Sequence, residues 1–137
     1  MKPIVLALFL ILALASCQKV ETLVDEGNSD LIGSWVNPEY NDTLVTYTRA
    51  NSLLENQYGI TFKPGNKLVD RQNSGWCGTP PISTADYEGT WTQKDSSIVN
   101  ITVGFWGGSI DYTWEIISIN HKKLVIKIVK SDFHTGK

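Results

Sequence analysis

From Leu31 onward, short apolar runs alternate with polar residues, and turn residues separate these runs at short intervals. Strict alternation of apolar and polar residues over four to eight positions is typical of half-buried β-strands. The pattern predicts eight strands, at residues 31–37, 43–50, 58–62, 67–72, 87–91, 98–103, 110–116 and 124–128. The one stretch that suits a helix, residues 49–57, is short. Many short strands joined by regular turns favour a sandwich or a barrel. Closure into a barrel is attractive because it removes exposed sheet edges.

The first seventeen residues, MKPIVLALFLILALASC, have a different character. Lys2 is followed by an apolar run over residues 4–15, which is shorter than the roughly 20 residues that span a bilayer. The run therefore predicts a secretory signal rather than a retained membrane helix. Leu14-Ala15-Ser16-Cys17 closes it and resembles the lipobox of bacterial lipoproteins. That resemblance implies a signal peptide at residues 1–16 and an acylated Cys17 as the first mature residue. More than one acyl chain anchors a protein stably to a membrane.

The polar, acidic segment that follows predicts a tether between the lipid and the domain, so residues 17–30 are assigned to the lipidated N-terminus and tether, and residues 31–137 to the folded domain. If Cys17 carries lipid, Cys77 has no partner in the chain and no internal disulfide can form. The chain has 12 basic and 14 acidic residues and no basic stripe, which gives no support to nucleic-acid binding.

The folded domain also resembles a known family. Gly33-Ser34-Trp35 opens the first strand and is similar to the Gly-x-Trp start of lipocalins, and Gly89-Thr90-Trp91 repeats it. With Gly59-Ile60-Thr61-Phe62 between them, the order resembles the lipocalin-like lipoproteins of Bacteroidetes. The resemblance implies an all-β domain, an eight-stranded up-and-down antiparallel barrel with an apolar pocket. It also implies a location in the cell envelope, with the outer membrane as the expected anchor. Typical lipocalins place a late arginine on the first tryptophan, and here Lys123 or Lys127 would have to replace it.

Four aromatic residues are the candidate ligand or partner contacts: Trp76, Trp106, Tyr112 and Trp114. Tyr112 and Trp114 share a strand face, where they would be core residues or would line a pocket. Trp76 and Trp106 lie in two glycine-rich breaks, residues 73–81 and 104–108, that we expect to be the longest loops and to frame the open barrel end.

Catalytic and metal-binding patterns are weak in this sequence. Cys77 is a nucleophile only if a base lies beside it, and no pattern places His121 or His134 there. The two histidines and one free cysteine show no metal-ligand spacing. We therefore predict neither an enzyme nor a cofactor or metal.

Two hypotheses of function remain. The first is a membrane-anchored lipocalin-like barrel that binds a small apolar ligand. The second is a structural or interaction lipoprotein with a filled barrel that docks on another envelope protein. A cavity of about 300 Å³ or more inside the barrel would favour the first hypothesis.

Overall fold

The computed structural model describes residues 30–136, which form a closed eight-stranded antiparallel barrel with no helix. The all-β barrel expected from the sequence is therefore confirmed. The predicted signal peptide at 1–16, Cys17 and the tether up to residue 29 lie outside the described residues. The strands are β1 (Gly33–Asn41), β2 (Leu44–Ala50), β3 (Gly59–Lys63), β4 (Lys67–Asn73), β5 (Thr84–Gln93), β6 (Ile98–Phe105), β7 (Gly108–Ile119) and β8 (Lys123–Thr135).

The up-and-down order holds from β3 to β8, where each strand pairs with the next one along the chain. It departs from a simple meander at the first three strands. β1 pairs with both β2 and β3, while β2 closes the barrel against β8. Because both are antiparallel to β1, β2 and β3 run in the same direction. Residues 51–58 therefore cross over β1 instead of forming a hairpin.

This crossover overlaps residues 49–57, the one stretch whose sequence suits a helix, and no helix forms there. Residues 49 and 50 still pair with β1, and the chain then passes over the outer face of that strand. A Cβ atom on Gly59 would lie 3.0 Å from Leu53 Cδ2 and 2.8 Å from the Trp35 carbonyl oxygen. Glycine thus lets the crossover pack directly on the sheet. Tertiary pairing of β2 and packing on β1 override a weak local preference for helix.

Arg71 holds the crossover against the outside of the barrel. Arg71 Nη1 donates to the Leu54 carbonyl oxygen at 3.0 Å. The same guanidinium donates to both Asp86 carboxylate oxygens, at 2.5 and 2.8 Å. These bonds hold the Asp86 pKa below its usual range. Arg71 therefore links the crossover to β4 and β5.

Tryptophans fill one end of the barrel, which we call the closed end. Trp35 is 0% exposed, and its indole nitrogen donates to the Leu31 carbonyl oxygen at 2.8 Å. Trp91 packs edge-on against Phe62 with ring centroids 5.4 Å apart. Its indole nitrogen donates to the carbonyl oxygens of Lys63 and Lys67, at 3.1 and 3.0 Å. The two tryptophans thus bury large apolar surfaces while their polar atoms satisfy turn and strand carbonyls.

The cation that packs on Trp35 is an arginine of β2, not a late lysine. The Arg49 guanidinium carbon lies 4.1 Å from the Trp35 ring centroid, and Arg49 also donates to the carbonyl oxygens of Ile32 and Asp30. Lys123 and Lys127, the expected substitutes, are exposed residues of β8 that pair with Thr48 and Leu44. The expectation of a late basic residue was therefore wrong, because β2 already brings Arg49 opposite Trp35.

The second glycine-rich break is a tight hairpin, so the expectation of a long loop at 104–108 was wrong. Phe105 pairs with Gly108, and only Trp106 and Gly107 form the turn. Gly108 has φ of 150°, and a Cβ there would lie 1.9 Å from the His134 carbonyl oxygen. Glycine at this position lets β7 start directly against β8. β8 in turn continues to Thr135, beyond the predicted end at residue 128.

Candidate binding cavity

A cavity of about 660 Å³ lies inside the end of the barrel opposite Trp35 and Trp91. Its size falls within the usual range for small-molecule sites, about 300–1,000 Å³. Aromatic residues dominate its walls: Tyr40, Tyr47, Tyr58, Phe105, Trp106, Tyr112, Trp114 and Phe133. Ile110 and Ile128 add aliphatic surface. We call this end of the barrel the open end.

The inward face of β4 changes from apolar to polar on passing from the closed end to the open end. Leu68 is buried in the core, while Asp70 and Gln72, at the next two inward positions, line the cavity. Asp70 pairs with Ile60 on one side and with Tyr87 on the other. Two polar side chains thus occupy positions where apolar ones would extend the core.

Asp70 is the carboxylate of this cavity. Gln72 Nε2 donates to Asp70 Oδ2 at 3.1 Å and to the Gly104 carbonyl oxygen at the same distance. Within residues 30–136, no lysine, arginine or histidine forms an ion pair with Asp70. Burial raises the pKa of Asp70 to about 7, because an ionised carboxylate is poorly solvated inside the barrel. The group therefore changes charge near neutral pH.

Three tyrosines interact electrostatically with this carboxylate. Burial raises the pKa of Tyr47 and Tyr112, and the charge of Asp70 raises both further. Tyr40 is 66% exposed, and partial desolvation together with Asp70 raises its pKa as well. The Tyr112 pKa reaches about 12. The tyrosines belong to β1, β2 and β7, whereas Asp70 belongs to β4. The carboxylate thus acts on aromatic side chains of several other strands, and these tyrosines stay neutral when Asp70 titrates.

Trp114 forms the boundary between the core and the cavity. It is 5% exposed, and its ring centroid lies 6.0 Å from that of Tyr47 and 6.0 Å from that of Tyr112. Its edge contact with Phe62, at 6.2 Å, joins it to the closed end. The indole nitrogen of Trp114 is buried and has no hydrogen-bond partner among the described residues. This nitrogen is a donor whose hydrogen-bonding capacity is unused.

Aromatic rings also form the rim of the open end. Phe105 packs edge-on against Trp106 and against Phe133, with ring centroids 5.8 and 5.9 Å apart. Trp106 is 52% exposed, so one part of its ring lines the cavity and the rest meets solvent. The rim is thus apolar where β6, its turn to β7 and β8 form it, while Gln72 and Asn73 of β4 contribute polar groups to the cavity wall.

The structure brings three of the four aromatic candidates together. Trp106, Tyr112 and Trp114 line the cavity, whereas Trp76 does not. Trp76 is 81% exposed, in the loop between β4 and β5. A hydrogen bond from the Ser74 backbone nitrogen to the Ser83 carbonyl oxygen, at 2.9 Å, closes the base of that loop. Because β4 ends at Asn73, which lines the cavity, the loop follows at the open end.

Sequence reasoning missed Asp70, Tyr40 and Tyr47. A signal for Asp70 was present, because it alternates with Leu68 on one face of a predicted strand. Tyr40 was hidden by a β-bulge between Val36 and Glu39, which shifts the register of β1. The bulge turns Tyr40 to the same face as Trp35 although five positions separate them.

Other reactive groups lie outside the cavity. Cys77 is exposed, and its hydrogen bond to Thr79 at 2.8 Å lowers the thiol pKa. On the outer surface, Asp111 Oδ1 accepts from the Thr102 hydroxyl at 2.6 Å, and Asp111 Oδ2 lies 2.8 Å from His134 Nε2. Asp111 stands between the other two side chains, so this order does not provide the contact between hydroxyl and imidazole that activates a nucleophile.

In the part of the chain that the structure describes, no cluster of His, Cys, Asp and Glu side chains could hold a metal ion. Among the same residues, no helix is long and apolar enough to cross a membrane.

Comparison of the chain with family models, with curated proteins and with solved structures found no match. The assignment to the lipocalin-like lipoproteins therefore stays a prediction from the sequence.

Proposed function

We propose that this protein is a lipoprotein of the bacterial cell envelope whose barrel binds a small, largely apolar ligand. In this proposal acylated Cys17 anchors the chain to the outer membrane, and residues 18–30 connect the anchor to the barrel. The observation that carries the binding function is the aromatic cavity of about 660 Å³ at the open end.

The size and the walls of the cavity favour binding over a filled barrel. Protein interiors are close-packed, and cavities larger than a few water molecules are uncommon in them. Trp114 and Ile110 could pack against further large side chains, but β4 contributes Asp70 and Gln72 to the same cavity. A ligand would complete the packing that the side chains leave open.

The rim gives such a ligand a place to enter. Trp106 and Phe133 are large, partly exposed rings at the mouth of the cavity. Rigid aromatic side chains bury much ligand surface at a small cost in conformational entropy. We expect Trp106 to contact the bound molecule and to shield part of it from water.

One observation favours a second candidate function, docking on another envelope protein. Trp76 is 81% exposed and does not line the cavity. Exposed tryptophans are enriched in protein interfaces. The two functions use different residues, because Trp76 does not line the cavity.

The test is a titration of the full chain, reconstituted in phosphatidylcholine nanodiscs, with fatty acids and small aromatic compounds. Tryptophan fluorescence reports occupancy, since Trp106 and Trp114 line the cavity. We expect Trp106→Ala to weaken binding about tenfold or more and Trp76→Ala to leave it unchanged. Trp76→Ala is the matched control, since it removes the same ring outside the cavity.

Two results would contradict the binding proposal. In the first, no compound changes the fluorescence of the wild-type protein. In the second, Trp106→Ala and Trp76→Ala bind a ligand with equal affinity to the wild type. Loss of an envelope partner from Trp76→Ala, with a barrel that binds no compound, would instead support the docking function.

A further inference from the structure

We propose that the ligand of this cavity is a small amine, whose protonated nitrogen is held by Asp70 beside the neighbouring tyrosine rings. The proposal rests on the binding function above and names the chemical class of its ligand. Three features carry it: a carboxylate that forms no ion pair, aromatic rings beside it in the cavity wall, and apolar walls beyond.

The carboxylate lacks a charged partner. Asp70 accepts a hydrogen bond from the neutral Gln72 amide, and no described residue pairs with it as a cation. The nearest arginine in sequence, Arg71, also lines the cavity, but its guanidinium is ion-paired with both oxygens of Asp86. A buried charge is costly unless it is paired. A bound ammonium group would supply the missing charge and additional hydrogen-bond donors.

The surroundings of Asp70 suit a cation. The rings of Tyr47, Tyr112 and Trp114 form one contiguous cluster, with successive centroids 6.0 Å apart. Tyr40 lines the same cavity and interacts electrostatically with Asp70. Aromatic faces attract an ammonium group, most strongly where water is excluded. The same carboxylate repels an anion, so this site disfavours a fatty-acid carboxylate placed beside it.

The rest of the cavity suits an apolar body. Ile110 and Ile128 line it, and Phe133 extends the apolar surface to the rim. A volume of about 660 Å³ holds one small molecule rather than a long polymer. An aromatic or alkyl amine matches this division between one charged position and an apolar remainder.

Binding of such an amine should depend on pH through Asp70. Tyr40 on β1, Tyr47 on β2 and Tyr112 on β7 interact electrostatically with Asp70. Tyr58, just before β3, and Arg71 on β4 also line the cavity, and Tyr87 on β5 pairs with Asp70. The pKa of Asp70 is about 7, so the carboxylate is mostly ionised at pH 8 and mostly protonated at pH 6. We expect amine affinity to fall about tenfold between pH 8 and pH 6.

The test uses the full chain in phosphatidylcholine nanodiscs and calorimetric titration with three matched probes. The probes are 2-phenylethylamine, the neutral 2-phenylethanol and the anionic phenylacetate. We expect the amine to bind at least tenfold more tightly than either analogue at pH 8. Asp70→Asn should remove this preference and keep the binding of 2-phenylethanol. Asp70→Glu, which retains the charge, should keep part of the preference.

Asp42→Asn is the control for net charge, because Asp42 lies in the exposed turn between β1 and β2. It should keep both the amine preference and its pH dependence. Equal affinity for the amine and the alcohol, unchanged by Asp70→Asn, would overturn the amine proposal and leave the binding function intact. Binding of none of the three probes would overturn the amine proposal, and the fatty-acid titration would then decide the binding function.

Discussion

Replacing Asp70 with asparagine should make the barrel more stable at neutral and alkaline pH. Asparagine has nearly the same shape, retains an acceptor for Gln72 Nε2 and carries no charge. The free energy of unfolding of the wild type includes the cost of keeping an ionised carboxylate inside the barrel. The variant does not bear this cost.

The magnitude follows from the shift in the Asp70 pKa, from 3.8 to about 7. One pKa unit corresponds to about 1.36 kcal/mol, so the shift corresponds to about 4 kcal/mol. Water that enters the cavity solvates the carboxylate and reduces the effect, so we expect a gain of about 1–4 kcal/mol. Since the folded-state pKa is raised, the contribution of Asp70 to stability is fully present below pH 3.8. It is lost as the pH rises through about 7. The gain from Asp70→Asn should therefore be small at pH 4 and largest at pH 8.

The assay is urea unfolding followed by tryptophan fluorescence, on a chain that begins at Gln18 and so lacks the predicted acylation site. Wild type and Asp70→Asn are compared at pH 4, 6 and 8, with Asp42→Asn as the control for a change in net charge. A variant that is less stable than the wild type at pH 8 would refute the reasoning. So would a difference that stays constant over this pH range.

Three further predictions concern the anchor, the core and the strand pairing. Cys17→Ser should abolish acylation, and mass spectrometry of the membrane fraction should then lose the acylated N-terminus. Trp35→Ala should cost about 3–5 kcal/mol in urea unfolding, because a fully buried ring is removed. The exposed Trp76→Ala should change stability by less than about 0.5 kcal/mol. Gly89→Ala should cost about 1–3 kcal/mol, since its Cβ would lie 2.4 Å from the Thr102 carbonyl oxygen. For comparison, a Cβ on Gly75 meets no atom within 4 Å, so Gly75→Ala should leave unfolding nearly unchanged. Acylation of the Cys17→Ser protein would contradict the first expectation. Equal stability of Trp35→Ala and Trp76→Ala, or of Gly89→Ala and Gly75→Ala, would contradict the other two.

Part of the candidate site could be read from the sequence. Tyr112 and Trp114 alternate with Ile110 along one strand face, which placed them in the core or in a pocket, and both line the cavity. The placement of Trp106 and the 73–81 loop at one end also followed from their positions between strands. The sequence did not separate Trp76 from Trp106. Whether a turn residue folds inward depends on the length of the turn, and the Trp106 turn contains only two residues.

The alternation of apolar and polar residues by itself determined that this chain forms β-strands and which face of most strands is buried. This signal is local, because side chains two positions apart lie on the same side of a strand. Tertiary structure alone decided that β1 lies between β2 and β3 and that Arg49, rather than a late lysine, covers Trp35. It also decided that Asp70 faces aromatic rings of other strands. These features depend on which strands become neighbours around a closed barrel. That choice is made by contacts between residues far apart in the chain, which no local pattern encodes.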